Sequence, residues 1–202
     1  MSNYDSEIHH RRSVRYKGYD YRMNNAYVIT ICTHEKRCWF GDIVDEKMIL
    51  NQYGQIAEKE WIETPNHRDY VVLHEYIVMP NHFHAILEIK KIKDDINGDD
   101  MEIFISKTSK LKYNSPEYLA MISPKSGSLS VIVRAYKSAV TRAINLTGIK
   151  YKWQDSFYET IIRGEEDYVA YSGYIKYNPI NWHKDKHYKA VARNDPTSTK
   201  CT

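Results

Sequence analysis

Two histidines one residue apart, His82 and His84, and a run of tyrosines further on, Tyr168, Tyr171, Tyr174 and Tyr177, are the residues whose types and spacing suit chemistry. The histidines follow Val78-Met79-Pro80-Asn81 and open the stretch Phe83-His84-Ala85-Ile86-Leu87-Glu88-Ile89. In a strand, successive side chains alternate between faces, so both imidazoles point the same way. Phe83, Ala85, Leu87 and Ile89 then form an apolar row on the opposite face. Paired imidazoles suit a divalent metal. Such a metal keeps open positions and can act as a Lewis acid on a phosphoryl oxygen.

A nucleophile is the missing part. On a helix, residues four apart face the same direction, so a ligand at i+4 would share the metal with its tyrosine. Tyr174 pairs in this way with Asn178, whose amide oxygen is a hard donor. Tyr168 pairs with Ser172, Tyr171 with Ile175, and Tyr177 reaches Asn181 only across Pro179. Tyr174 is therefore the favoured nucleophile and Asn178 the favoured third ligand. His74 and Glu75, on the preceding strand, are weaker candidates for the metal's surroundings.

These side chains need elements to hold them. Ala26 to Cys32 is rich in β-branched and aromatic residues and predicts a first strand. A helix is predicted from Asn51 to Glu63, with Ile56, Lys59 and Trp61-Ile62 on its amphipathic face and Thr64-Pro65 stopping it. Tyr70 to Met79 reads as a strand joined through Pro80-Asn81 to the histidine strand. Ser126-Gly127-Ser128 caps a second helix, in which Leu129, Ile132, Val133, Tyr136, Val140, Ala143 and Ile144 recur at helical spacing and Gly148 marks the end. That periodicity puts Tyr136 in the core. Ser156 to Arg163 predicts a last strand, and Glu165 to Tyr177 a third helix with acidic residues at its N-terminus. The order is an α+β, ferredoxin-like (RRM-like) β-α-β-β-α-β unit, an antiparallel sheet with helices on one face and an additional C-terminal helix carrying the tyrosine.

At 202 residues the chain has room for one domain with peripheral additions. We divide it into an N-terminal arm (1–22), a domain (23–185) with an insertion at about 91–125, and a tail (186–202). Within the insertion, Lys93 to Asp100 lacks the spacing and closing glutamate of an EF-hand and reads as a solvated loop. No apolar run is long enough to span a bilayer, and no signal-peptide h-region opens the chain. Three cysteines (Cys32, Cys38, Cys201) leave an odd one and show no paired framework, which predicts a reducing, cytoplasmic setting. Cys32, His34 and Cys38 lack the second ligand pair of a structural zinc site.

A net charge of +3 is too small to identify a nucleic-acid partner by itself. Its distribution says more. Arg11, Arg12, Arg15 and Arg22 are interleaved with Tyr16, Tyr19 and Tyr21, a pattern in which cations meet phosphates and rings stack on unpaired bases. Arg134, Lys137 and Arg142 lie off the apolar stripe of the second helix, and we take Arg134 and Lys137 as further candidates for contacts to DNA.

Taken in order, His82-Phe83-His84 after Met79-Pro80-Asn81, Trp153-Gln154-Asp155-Ser156-Phe157-Tyr158-Glu159, Ile162-Arg163, Asp167-Tyr168 and Tyr174-Ile175-Lys176-Tyr177-Asn178-Pro179 form a specific set. Over roughly residues 20 to 185 the chain resembles the REP-associated tyrosine transposases, within the single-tyrosine HUH superfamily of single-strand DNA transposases. The resemblance implies that His82 and His84 bind Mg²⁺ or Mn²⁺, with Asn178 as a third ligand. It further implies that Tyr174 attacks a phosphodiester of single-stranded or hairpin DNA, leaving a 5′-phosphotyrosine and a free 3′-OH that can rejoin DNA. It implies a bacterial protein, nucleoid-associated when DNA-bound, acting as monomer or homodimer. Two other classes stay open: a single-strand-binding module without activity, and a metal-dependent hydrolase without a covalent intermediate.

Overall fold

The structure, a computed structural model, describes residues 20–91 and 126–188. The readings made on Arg11, Arg12 and Arg15, on most of the insertion with its aspartate-rich loop, and on the tail past residue 188 lie outside the described residues.

Strand β1 (Asn25–Cys32) is the centre of the sheet. Its β-branched run is buried on both faces because it has hydrogen-bonded neighbours on each side and helices above and below. Two short strands follow, β2 (Gly41–Val44) and β3 (Lys47–Leu50), then helix α1 (Gln52–Ile62) and a single-turn helix α2 (Thr64–His67). The hairpin β4 (Val71–Met79) and β5 (His82–Ile89), helix α3 (Leu129–Asn145), strand β6 (Tyr158–Ile161) and helix α4 (Glu165–Lys176) complete the order. The main sheet runs β4-β5-β1-β6 with every pair antiparallel. That is the β-α-β-β-α-β arrangement read from the sequence, with α4 as its extra helix.

The β2–β3 hairpin and α2 were not anticipated. Each strand has only four residues, and the turn is Asp45-Glu46, both at positive φ, instead of a glycine-containing pair. Asn51 caps α1 by accepting from the backbone N–H groups of Tyr53 (2.9 Å) and Gly54 (3.0 Å). The buried stripe of α1 is Gly54, Ala57 and Trp61; Ile62, expected on that face, is 51% exposed. A Cβ at Gly54 would lie 2.2 Å from the Phe40 carbonyl oxygen, so glycine is what lets the helix seat there. The helix stops ahead of Thr64-Pro65 as expected, and Pro65 then occupies the first turn of α2, where its missing N–H costs nothing.

The predicted stripe of α3 is the buried one, apart from the half-buried Ala143, and the Tyr136 hydroxyl donates to the Ala57 carbonyl at 3.1 Å, joining α3 to α1. These helices cover the Phe83 face of the sheet. The Phe83 ring packs edge-on to Trp61 at 5.0 Å and against Tyr136 at 5.2 Å, with Ala85, Leu87 and Ile89 extending the core. On the opposite face α4 lies over β4 and β5, and Ile175 closes a smaller cluster with Val28, Ile86 and Ile162. The histidine face is thus roofed by the tyrosine helix.

The two clusters differ in size, and their truncations should differ in kind. Phe83→Ala is expected to lower the unfolding free energy in urea by about 3–5 kcal/mol. Ile175→Ala, on the only side chain of α4 that is fully buried, should chiefly raise amide hydrogen exchange across residues 165–176. Global exchange of equal magnitude in both variants would contradict the separation.

Candidate active site

The hairpin turn Pro80-Asn81 is tied into the body of the fold. The Pro80 carbonyl accepts from the N–H groups of Trp39 (2.8 Å) and Phe40 (3.1 Å), and the Asn81 carbonyl accepts from Thr33 N (2.9 Å) and Thr33 Oγ1 (3.0 Å). The first residue of β5 is therefore held firmly. His82 pairs with Cys32 and His84 with Thr30 across β1. Both imidazoles share a face, as their spacing predicts, with ring centroids 4.5 Å apart.

Each ring has its Nδ1 engaged. His82 Nδ1 lies 2.8 Å from the Asn81 side-chain oxygen, whose amide NH₂ donates to the carbonyls of Lys36 and His187. That orientation puts the proton on Nδ1 and leaves Nε2 with a lone pair. Nε2 is buried and has no hydrogen-bond partner among the described residues. His84 Nδ1 meets the Thr30 hydroxyl at 2.8 Å, leaving its Nε2 on the side of the tyrosine helix. A partner on the second nitrogen is how metal-binding histidines are oriented.

Of the helix tyrosines, Tyr174 is the one brought to the histidines: its hydroxyl lies 3.4 Å from His84 Nε2. Tyr168 instead meets His74 at 3.3 Å, and His74 pairs with Glu88 at 3.1 Å, away from His82 and His84. Tyr171 packs in the small cluster, Tyr177 is 52% exposed, and Glu75 is exposed.

Asn178 does reach the site, but the residue beside it was not foreseen. Following α4, a 3-10 turn at Trp182–Lys184 brings the chain back, and the buried Trp182 anchors it against Met79. Asp185 then projects toward the histidines. Its Oδ2 accepts from the Tyr174 hydroxyl (3.0 Å) and from the Asn178 amide (3.1 Å), and its Oδ1 accepts from the backbone of His187 (2.6 Å). Ligand atoms of His82, His84 and Asp185 all lie within 4.8 Å of one another. Asn178 Oδ1 is buried and has no partner among the described residues. His187 stacks beside His82 at 4.8 Å and places its Nδ1 3.5 Å from the Cys32 thiol.

Sequence reasoning missed Asp185 and His187 because the connection from α4 has no periodicity that aims them. The one available signal was a Trp-His-Lys-Asp-Lys-His run soon after the tyrosine. As for the cysteines, burial pushes the Cys32 thiol up to about 11, so it offers no ready thiolate, and Cys201 lies outside the described residues. Of the described basic candidates, Arg22 is bound to Asp20, Lys137 donates to the carbonyls of Gln154 and Asp155, and Arg134 is exposed on α3. No helix among the described residues is long and apolar enough to cross a membrane.

Burial dominates the electrostatics. It holds His82 neutral, well below its ordinary range, with His84 and His187 adding to the effect. It lowers His84 to about 3 despite the opposing Asp185 charge, and His187 to about 4. Burial acts to raise Asp185, yet hydrogen bonds from His187, Asn178 and Tyr174 keep its carboxyl below the ordinary value. Tyr174 is raised to about 12, first by burial and then by the charge and hydrogen bond of Asp185. The site therefore presents two deprotonated imidazoles and an ionised carboxylate at neutral pH, as metal binding requires.

No protein-family model matches the chain. A protein of Haemophilus influenzae (strain KW20 / Rd), itself uncharacterized, is 37% identical over 192 residues, 93% of this chain and 98% of that one. The two belong to one family. A solved structure of a REP-associated tyrosine transposase bound to a REP hairpin superposes with a TM-score of 0.50 at 18% identity, covering 93% of this chain and 98% of that one. The chain shares that fold, so the resemblance read from the motifs holds at the level of architecture.

Neutral buried imidazoles make the metal-free protein acid-labile. With folded values below the ordinary 6.5, the unfolded chain takes up protons first, so stability present above that pH is lost as pH falls toward about 3. Urea midpoints are expected to drop between pH 7 and pH 5, and His84→Gln should flatten the dependence. An equally steep dependence in the variant would contradict this account.

Proposed function

We propose that this chain is a metal-dependent single-strand DNA transposase or endonuclease that cleaves and rejoins DNA through a 5′-phosphotyrosine. The observation that carries the reading is the convergence of the Tyr174 hydroxyl on His84 Nε2 (3.4 Å) and Asp185 Oδ2 (3.0 Å), on the fold of a REP-associated tyrosine transposase. That protein was solved with a REP hairpin, which makes hairpin DNA the substrate to test.

The residues present fit a divalent cation: an unpartnered buried nitrogen on His82, a second imidazole on His84, and the Asp185 carboxylate, with Asn178 Oδ1 as a further oxygen. Two nitrogens with carboxylate and amide oxygens suit Mn²⁺ or Mg²⁺. The bound metal would supply charge neutralisation at the scissile phosphate. Thr30 and Asn81 orient the two imidazoles. Tyr174 Oη attacks phosphorus as the bond to the 3′-oxygen breaks, and its proton moves toward Asp185 Oδ2, to which it already donates. The departing 3′-oxygen takes up that proton, by way of Asp185 or water, and becomes the 3′-OH, which rejoins DNA by attacking the phosphotyrosine in reverse. An ordinary tyrosine is a poor nucleophile at neutral pH, and one raised to about 12 by burial and by the Asp185 charge is poorer still, so its activation calls for the positive charge that a bound cation would supply. Arg22 and Arg134, with the arm residues Arg11, Arg12 and Arg15, are offered as contacts to DNA. The protein would act in the cytoplasm, nucleoid-associated when DNA-bound, as monomer or homodimer.

Incubation with labelled single-stranded hairpin DNA and Mn²⁺, followed by a denaturing gel, should give a covalent adduct that Tyr174→Phe abolishes. His84→Ala should reduce cleavage by about 100-fold or more, on the scale of removing a group that stabilises developing charge. Cleavage without an adduct would favour a hydrolase, and binding alone a recognition module. An adduct surviving in Tyr174→Phe would place the nucleophile elsewhere.

A further inference from the structure

Beyond the histidine site, the described surface has a shallow, open cleft of about 430 Å³ between α3 and the segment leading into β6. Lys137 and Arg142 line it from the helix, and Lys152, Gln154 and Asp155 from the segment. Lys137 builds the cleft. Its ammonium donates to the Gln154 and Asp155 carbonyls (2.6 and 3.2 Å), while its own carbonyl accepts from the Trp153 indole N–H (3.2 Å). That leaves Arg142 and Lys152, both exposed, with no side-chain hydrogen bond or ion pair among the described residues. Ser138 adds an exposed hydroxyl, and Asp155 is the one anion of the lining.

Chemistry and connectivity both bear on what fits. Trp153 also lines the cleft but is 4% exposed, its ring packed against Tyr136 and Phe40, so little of its aromatic face is open for a base to stack on. Cations and a hydroxyl with so little open ring suit a sugar-phosphate backbone. The segment is stitched to the end of β1: Gln154 N donates to the Cys32 carbonyl at 2.9 Å, and Thr33 bridges to Trp153. Cys32 is the cross-strand partner of His82. The cleft and the histidine site thus flank the same strand end.

We propose that this cleft binds the phosphate backbone of the DNA strand handled at the Tyr174 site, with Arg142 and Lys152 as its contacts. The proposal rests on the DNA-processing reading above and adds to it a track for the strand. It reassigns Lys137 from a phosphate contact to the residue that shapes the cleft.

Fluorescence anisotropy of the full chain with single-stranded hairpin DNA, in EDTA so that no cleavage occurs, tests it. Arg142→Gln/Lys152→Gln is expected to weaken binding by about tenfold near 0.1 M salt and to shrink the log–log salt slope by roughly 1.4, about 0.7 for each phosphate no longer neutralised. Lys47→Gln/Lys59→Gln removes the same charge from β3 and α1 and should change affinity by less than about twofold, as expected of charges that meet no phosphate. Unchanged binding by the first pair, or equal weakening by both pairs, would overturn the cleft. Failure of the unaltered protein to bind DNA would overturn both the cleft and the proposed function. Intact, cleft-dependent binding without a Tyr174 adduct would overturn the function and leave the cleft standing.

Discussion

The Asn81 side-chain amide has one acceptor and two donated hydrogens, and all three are committed: the oxygen to His82 Nδ1, the nitrogen to the carbonyls of Lys36 and His187. A ring nitrogen becomes a metal donor only when the other ring nitrogen carries the proton, so this amide decides the tautomer of His82. The same group pins the chain at Lys36, just after β1, and the segment that delivers Asp185. Three pieces of chain distant in sequence are thereby registered on one ring. The turn itself is held through Pro80 and Asn81 carbonyls, so the amide is positioned by backbone and not by its own rotamer alone.

A strand with both faces covered explains how the site can be dry. The Phe83 face belongs to the large core, and its apolar row needed no help from tertiary context to be read. The histidine face is buried for a different reason: α4 and the segment after it lie across it, leaving His82 and His84 at 0% and 1% exposure. Burial of polar rings costs free energy unless their hydrogen bonds are met. Thr30 and Asn81 meet one nitrogen of each and the Tyr174 hydroxyl the second nitrogen of His84, so the unmet cost sits at His82 Nε2, where a ligand can recover it.

What was legible in the sequence follows from this division. Period-two alternation in β5 and period-3.6 spacing in α3 depend on local geometry, and both gave the right faces. The tyrosine helix was harder, since α4 buries only Ile175 fully and shows no broad apolar stripe. The i+4 relation of Tyr174 and Asn178 nevertheless located the turn that faces the histidines. Asp185 and His187 were beyond local reasoning. Their aim is set by the anchoring of Trp182 and by long-range bonds to Asn81, neither of which any spacing rule encodes. The β2–β3 hairpin was hidden similarly, by strands too short to show alternation.

Charge balance connects these parts to chemistry. At neutral pH the buried cluster holds neutral imidazoles and one carboxylate, a net negative charge. That charge is one reason the Tyr174 proton is held to about 12. A cation placed among the donors would reverse the sign of the local field and favour the phenolate it now opposes. Tyr174 is also the exposed member of the group, at 43%, beside histidines that solvent does not reach. On the proposed function, a phosphodiester approaching from that side would meet the Tyr174 hydroxyl first, with the imidazoles and the carboxylate behind it, so the exposed hydroxyl marks the boundary between the buried cluster and the surface.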